Sequence, residues 1–372
     1  MIKIFAVVNG EVIADLGENT TPTYTRIHFL INELKNFKDI DVVSIRYHLL
    51  PKGGLMSTVY NNVLKTAAAL RSALLLILYR PWVYFAYPHS LTNVQNRALF
   101  RLCSMMDLKI MLDIHDTIEQ AQVIGTGRPI LNWNLESYYF RNTTIILALN
   151  NPMWNYLKDK YQLSKDKRVI IVPNAYDESF CELYPNAYKS IKNRFNICYV
   201  GGLTKNRGIE ILVSACQDLH KKYPCLKLFL FGSYGEGLTT GIKEVIEHSC
   251  FIERKLIPRK DLPAALNEMD LLVMPYDPRE SYMNFSSPTK FFEYIGTGKP
   301  ILCTKCESLL EVGKDGGILY IDFNAKDLAE KAEMLILNPE IREKMSLDLI
   351  KIRPHHTWKE RAKKVHKFFE SQ

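Results

Sequence analysis

The chain has 372 residues, 47% apolar and 24% charged, with 18 Gly and 17 Pro, a composition that excludes disordered, collagen-like and low-complexity classes. Its length predicts two domains. The net charge of +8 is uneven: residues 1–174 hold 19 Lys and Arg against 13 Asp and Glu, and the remainder holds 29 against 27. A basic first half suits a phosphate-bearing substrate, an anionic membrane or nucleic acid, but no run of like charge is long enough for a dedicated nucleic-acid arm.

The chain opens directly on a strand-like run, Ile2–Val8, with no secretory signal ahead of it. Eight cysteines lie scattered, mostly inside apolar runs. Free thiols and a cytoplasmic setting are therefore expected. Cys303-Thr-Lys-Cys306 is a lone C-x-x-C without a second pair, so no zinc is expected there. The polar stretch Asn19–Arg26 precedes a helix over Ile27–Leu34, and Arg26 either meets an anionic acceptor or is a surface cation. Asp39-Ile-Asp41 is formally D-x-D, yet it precedes the strand Asp41–Ile45, the wrong end for a ligand in a parallel sheet, and reads as solvated.

Ala67–Tyr87 is nearly all apolar, but Arg71, Arg80 and Pro81 interrupt it. It reads as a buried helix from Val63 to about Tyr79 and then a strand, Trp82–Tyr87, not as a membrane span. Strands follow at Ile110–Ile114, Thr144–Leu149 and Val169–Val172. The first of these runs into His115-Asp116, where the imidazole is either a structural strand-end group or a proton carrier at working pH. The polar, turn-rich stretch 176–194 with Pro185 marks a boundary, giving domains 1–185 and 186–354. Residues 355–372 form a last helix, with Ala362, Val365, Phe368 and Phe369 on its apolar face, returning to the first domain; His355-His356 marks the kink before it.

The second half repeats the theme. Strands are expected at Asn196–Val200, Lys227–Phe231, Asp270–Met274, Pro300–Cys303 and Ile318–Ile321, with helices at Ile209–Lys222, Leu262–Glu268, Lys290–Gly296 and Ala325–Leu337. Alternating strands and helices predict an α/β chain of two Rossmann-like, doubly wound parallel-sheet domains facing a cleft. Ligands in such sheets bind beyond the carboxyl ends of the strands.

Two segments there carry chemistry. In Tyr199-Val-Gly201-Gly202-Leu-Thr-Lys205-Asn-Arg207-Gly208, a strand ends in two glycines and a helix begins near Gly208. Its N–H groups, with Lys205 and Arg207, make either a diphosphate site or a tight turn with two solvated cations. In Ser286-Ser287-Pro288-Thr289-Lys290-Phe-Phe-Glu293, Ser287 suits an N-cap and Pro288 the first helical position. Glu293 then either takes ribose hydroxyls or is an exposed helix residue, and Lys290 faces phosphate or solvent.

Taken together, these segments resemble the family 4 glycosyltransferases of the GT-B fold. Further matches in order are Val172-Pro173-Asn174-Ala175, Leu228–Gly232, Leu262-Pro263-Ala-Ala-Leu with Asp270–Pro275, Gly316-Gly-Ile-Leu-Tyr, and Leu328-Ala-Glu-Lys-Ala. The resemblance implies a retaining transferase with a UDP-, GDP- or dTDP-sugar donor, a glycan or lipid-linked acceptor, and no obligatory metal or other cofactor. The basic first half and the apolar Val63–Tyr79 segment point to a lipid-linked, phosphate-bearing acceptor at the inner membrane face, hence to surface polysaccharide assembly, and no nucleic-acid partner is expected. By the same resemblance Arg207 holds the donor diphosphate, with Gly201, Gly202, Lys205, Gly232, Ser286, Ser287, Pro288 and Lys290 around the donor. Glu293 becomes the second glutamate of an E-x7-E pair and, with His115 and Asp116, a catalytic candidate; Arg26 stays on the acceptor side. The first glutamate of that pair is Phe285 here, which leaves backbone N–H groups around Asn284–Ser287 to hold the sugar. Two alternatives stay open: a sugar-nucleotide epimerase of the same fold, and a non-catalytic glycan- or nucleic-acid-binding protein.

Overall fold

The computed structural model describes residues 1–8, 21–45, 54–123, 133–182, 194–313 and 316–371. They divide into two compact units, Met1–Pro173 with Arg361–Gln372, and Asn174–Glu360.

Unit 1 runs β1 (Ile2–Val7), α1 (Pro22–Lys35), β2 (Ile40–Val43), α2 (Gly54–Tyr79), β3 (Trp82–Tyr87), α3 (Val94–Met105), β4 (Ile110–Ile114), α4 (Ile118–Val123), α5 (Trp133–Arg141), β5 (Ile145–Ala148), α6 (Asn151–Lys160) and β6 (Arg168–Ile171). Its six strands are all parallel, in the order β2-β1-β3-β4-β5-β6. Strands covered on both faces need continuous apolar runs, and β3, β4 and β5 supply them. Thr21 caps α1 by accepting the Tyr24 N–H, Pro22 occupies its first turn, and Ile27, Leu30, Ile31 and Leu34 bury one face at helical spacing. Arg26 thus sits on a helix, not in a loop; residues 19 and 20 of the expected polar loop lie outside the described residues.

Helix α2 departs from expectation. It starts at Gly54 and is not a core helix: only Ser57, Ser72 and Leu76 are buried along its length. Its apolar residues outnumber what one contact face can cover, and the surplus faces water.

Unit 2 runs α7 (Ser179–Glu182), β7 (Phe195–Val200), α8 (Ile209–Lys222), β8 (Leu226–Phe231), α9 (Thr240–His248), β9 (Ile252–Lys255), α10 (Leu262–Asn267), β10 (Leu271–Met274), α11 (Thr289–Thr297), β11 (Ile301–Thr304), α12 (Glu307–Gly313), β12 (Ile318–Ile321), α13 (Ala325–Leu337), α14 (Pro339–Ile352) and the start of α15 (Trp358–Glu370). Its parallel strands are ordered β12-β11-β10-β7-β8-β9. Sequence order reverses between β7 and β10, and that switch point is where an open parallel sheet leaves a crevice. Strand β9 was not expected from the sequence: Glu253, Arg254 and Lys255 hide its pattern, and a sheet edge tolerates such charges.

The break between units falls at 173/174, ahead of the turn-rich 176–194 stretch, of which 183–193 lie outside the described residues. Tyr176 explains it: its N–H donates to His356 O at 3.2 Å, its hydroxyl donates to Arg353 O at 2.9 Å, and with Phe180 it packs into the unit 2 core. The residues of α15 from Arg361 onward return to unit 1. There Trp82 meets Phe368 and Phe369 edge-on at 5.8 and 5.2 Å, and His366 bonds Asp39 at 2.9 Å. Phe369→Ala should destabilise unit 1 by about 3 kcal/mol, read from urea unfolding with a probe placed in that unit.

Candidate functional site

Two polar clusters lie at the carboxyl ends of strands, one in each unit. In unit 1 the centre is Asp113, wholly buried near the end of β4. Its carboxylate accepts from Arg26 Nη2 at 2.6 Å and Nε at 3.0 Å, from Tyr84 Oη at 2.6 Å, and pairs with His115 Nε2 at 2.9 Å. Burial alone would raise Asp113, but the Arg26 guanidinium and His115 outweigh it and hold the carboxyl well below the usual range. An ionised Asp113 accepts from His115 Nε2–H, which leaves Nδ1 as the lone-pair atom. That Nδ1 is buried and has no hydrogen-bond partner among the described residues. The arrangement fixes the tautomer and presents a base.

One expectation changes here. Arg26 is neither a surface cation nor open to an acceptor, because it is 1% exposed and committed to Asp113. His115 is held by Asp113, two residues before it. Asp116 stays half-buried beside it, its carboxyl raised by burial and pulled back by His115. Sequence reasoning passed over Asp113 and Tyr84, although a lone carboxylate in the apolar run Ile110–Ile114 was the available signal. Nearby His89 is pushed down to about 4 by burial and by His115, so it is neutral at working pH.

In unit 2 the cluster forms at the switch point. Gly201 follows β7 with φ +125°, and the space a β-carbon would occupy there holds the Lys290 ammonium. Gly232, which follows β8, lies so close to the Gly201 carbonyl that a β-carbon would collide with backbone. Its smallness therefore serves chain packing. The carbonyl of Gly202 accepts from Tyr199 Oη at 3.1 Å. Lys205 is exposed and Arg207 half-buried on a short 3₁₀ turn that leads into α8 through Gly208, whose φ is +67°. Arg207 donates to Tyr276 Oη at 3.0 Å, just beyond β10. Burial and the neighbouring Arg207 push the Lys290 ammonium well below the ordinary lysine value, with Glu293 opposing.

Helix α11 starts at Thr289, one residue later than expected, with Pro288 in the capping position. Ser287 does not cap it, because its Oγ instead accepts the Asn174 N–H at 2.9 Å, while Asn174 Nδ2 donates to Ser287 O. Ser286 Oγ donates to Met283 O at 2.9 Å. The Thr289 hydroxyl at the start of α11 is buried without a partner among the described residues. Glu293 is buried, not exposed, and its carboxylate pairs with Arg259, which also reaches Asp177 at 2.6 Å. Arg259 and Asp177 carried no local sequence signal. The cluster holds two adjacent cations, a helix N-terminus and a hydroxyl without a partner among the described residues, and Glu293, the carboxylate that acts on Lys290, is itself committed to Arg259. Such a site is suited to a diphosphate.

Asp113→Asn should strand the buried Arg26 and cost unit 1 about 3–5 kcal/mol at neutral pH in urea titrations. Because Asp113 sits below its ordinary 3.8, its contribution is complete above that pH and is lost as pH falls through the folded value. The stability gap between wild type and variant should therefore narrow on acidification below 3.8.

Comparison with known proteins adds the family signal. Residues 194–338 match the family described as Glycosyl transferases group 1. The uncharacterized glycosyltransferase MJ1069 of Methanocaldococcus jannaschii is 23% identical over 240 residues, a match covering 62% of this chain and 59% of that protein's length. Among solved structures, Anabaena Alr3699/HepE in complex with UDP and glucose aligns over 100% of both chains with a TM-score of 0.61 and 12% identity. A glycosyltransferase from Rickettsia africae aligns over 100% of this chain and 98% of its own, with a TM-score of 0.63 and 13% identity. The chain therefore carries a glycosyl transferases group 1 domain in unit 2 and has the paired parallel-sheet architecture of GT-B glycosyltransferases.

Proposed function

We propose that this protein is a retaining glycosyltransferase of family 4 that moves a sugar from a nucleotide-sugar to a glycan or lipid-linked acceptor in surface polysaccharide assembly, in the cytoplasm at the inner membrane face. One observation carries the reading: Lys290 and Arg207 crowd together at the switch point of unit 2, beside the orphan Thr289 hydroxyl. Two cations held this close lose stability in the empty site and regain it when a dianion arrives. The anion that a sugar donor brings is its diphosphate, and the same bridge gains charge as the glycosidic bond breaks. Groups already aimed at that charge stabilise the transition state more than the ground state.

The remaining assignments follow from position. Glu293, steadied by Arg259, takes the ribose hydroxyls of the donor. Arg207, Lys290 and the exposed Lys205 receive the diphosphate. His115 Nδ1 accepts the acceptor's proton or orients its hydroxyl, with Asp113 supporting the imidazolium that results. Asp116 flanks it. The UDP bound in the Anabaena structure supports uracil as the first base to test. Retention rests on the family resemblance and is tested by the anomeric configuration of the product. No step here calls on a metal ion, so turnover should survive EDTA.

Calorimetric titration with UDP, GDP and dTDP tests the donor reading. Micromolar binding of one nucleotide is expected, with Arg207→Ala lowering kcat/KM about 10²- to 10³-fold. Unchanged nucleotide binding in both Arg207→Ala and Lys290→Ala would overturn the assignment. The pH dependence has a definite sign. A diphosphate raises Lys290 back toward 10.5, so binding takes up a proton. Affinity should fall as pH rises through the empty-site value of Lys290, and this slope should vanish in Lys290→Ala.

A further inference from the structure

The two clusters leave one large surface feature unexplained, the outward face of α2. Leu55, Val59, Val63, Leu70, Leu74 and Leu78 follow one another at helical spacing and are 79, 52, 61, 69, 55 and 63% exposed. A soluble helix normally turns such a stripe inward. Here the inward positions are Ser57, Ser72 and Leu76, while Leu55, Leu70, Leu74 and Leu78 face out. At about 1.5 Å per residue, this 26-residue helix is roughly 39 Å long. Its mean hydropathy reaches 1.3 over an 18-residue window.

Charge supplies the second observation. From position 42 to position 106 the sequence contains no Asp or Glu, but it contains seven Lys or Arg. Lys65 and Arg71 belong to α2, Arg80 follows it, and Arg97 and Arg101 belong to α3. Helix α3 packs beside α2, and Val94 and Met105 at its two ends are 67 and 85% exposed. Arg97 and Arg101, with Val94, Ala98, Leu102 and Met105, line an open groove of about 370 Å³ whose other wall includes Leu135 of α5. An apolar stripe with cations and no acid matches a surface that is apolar below and negative above.

We propose that α2, with α3 beside it, docks unit 1 on an anionic lipid bilayer, α2 lying along the boundary between headgroups and acyl chains. The leucine stripe enters the acyl region, and Arg71 and Arg101 meet lipid phosphates, while Lys65 lies on the inward face with Ser72. The helix lies on the membrane and does not cross it. Lys65 and Arg71 sit in its middle, and Ser72 and Leu76 are buried against unit 1. This inference deepens the membrane-face part of the proposed function; vesicle binding needs neither donor nor acceptor, so failure of the donor reading would leave it standing, and failure of vesicle binding would remove the membrane location while leaving the donor reading intact.

Flotation of the full-length protein with two kinds of vesicle tests it: phosphatidylcholine alone, and phosphatidylcholine with an equal part of phosphatidylglycerol. Co-flotation with the mixed vesicles is expected, at least about tenfold stronger than with phosphatidylcholine alone and weakened by salt. Leu70→Gln/Leu74→Gln/Leu78→Gln should lose about tenfold or more of that binding with an unchanged circular dichroism spectrum. Should the triple variant misfold, Arg71→Gln/Arg101→Gln leaves the apolar stripe intact and should lose about fivefold per charge. Equal recovery with both vesicles, or wild-type flotation of both variants, would overturn the proposal. So would a wild-type dimer that binds no vesicle and that the leucine variant converts to monomer, since the stripe would then be an interface between copies.

Discussion

An ammonium standing where a β-carbon would otherwise be is the constraint on which the unit 2 site depends. Lys290 reaches that position only because residue 201 is glycine in a conformation that side chains disfavour. Gly201 in turn sits against Gly232, which must also be glycine for the two strand ends to approach. The result is a desolvated lysine held beside Arg207, a repulsive pair that the surrounding fold keeps in place. Strain of this kind is stored where a ligand relieves it.

The two units treat their buried charges in opposite ways. In unit 1, Arg26, Tyr84 and His115 all converge on Asp113, so the carboxylate is fully satisfied and only one imidazole nitrogen remains unspent. In unit 2, Arg259 pairs with Glu293 and Asp177, which leaves Lys290 and Arg207 without a salt-bridge partner among the described residues. In the transferase proposed above, the balanced cluster would hold a proton acceptor and the unbalanced one would attract an anion.

Much of the architecture was legible because parallel strands buried on both faces must be continuously apolar, and β7, β8 and β10 announce themselves that way. Strand β9 did not, since an edge strand needs no apolar pattern on its open side. The clustering of residues 199–208 with 286–293 was legible because glycines and cations at a strand end have few structural uses in common. Their partners were not: Arg259 reaches Glu293 across 34 positions and Arg26 reaches Asp113 across 87, and nothing local encodes such pairs. The burial expected for α2 failed for a related reason. Hydropathy counts apolar residues but does not say which face they turn to, and this helix points Leu55, Leu70, Leu74 and Leu78 to the solvent.

The return of α15 has a consequence for how the protein is made. Unit 1 is discontinuous: its last dozen residues are encoded after the whole of unit 2. During synthesis the earlier residues leave the ribosome with Trp82 still lacking Phe368 and Phe369, and Asp39 lacking His366. The second-encoded unit can therefore close first, while the first-encoded one waits for the final helix. Chaperone dependence during translation would then fall on the amino-terminal half, whose longest helix is also its most apolar surface.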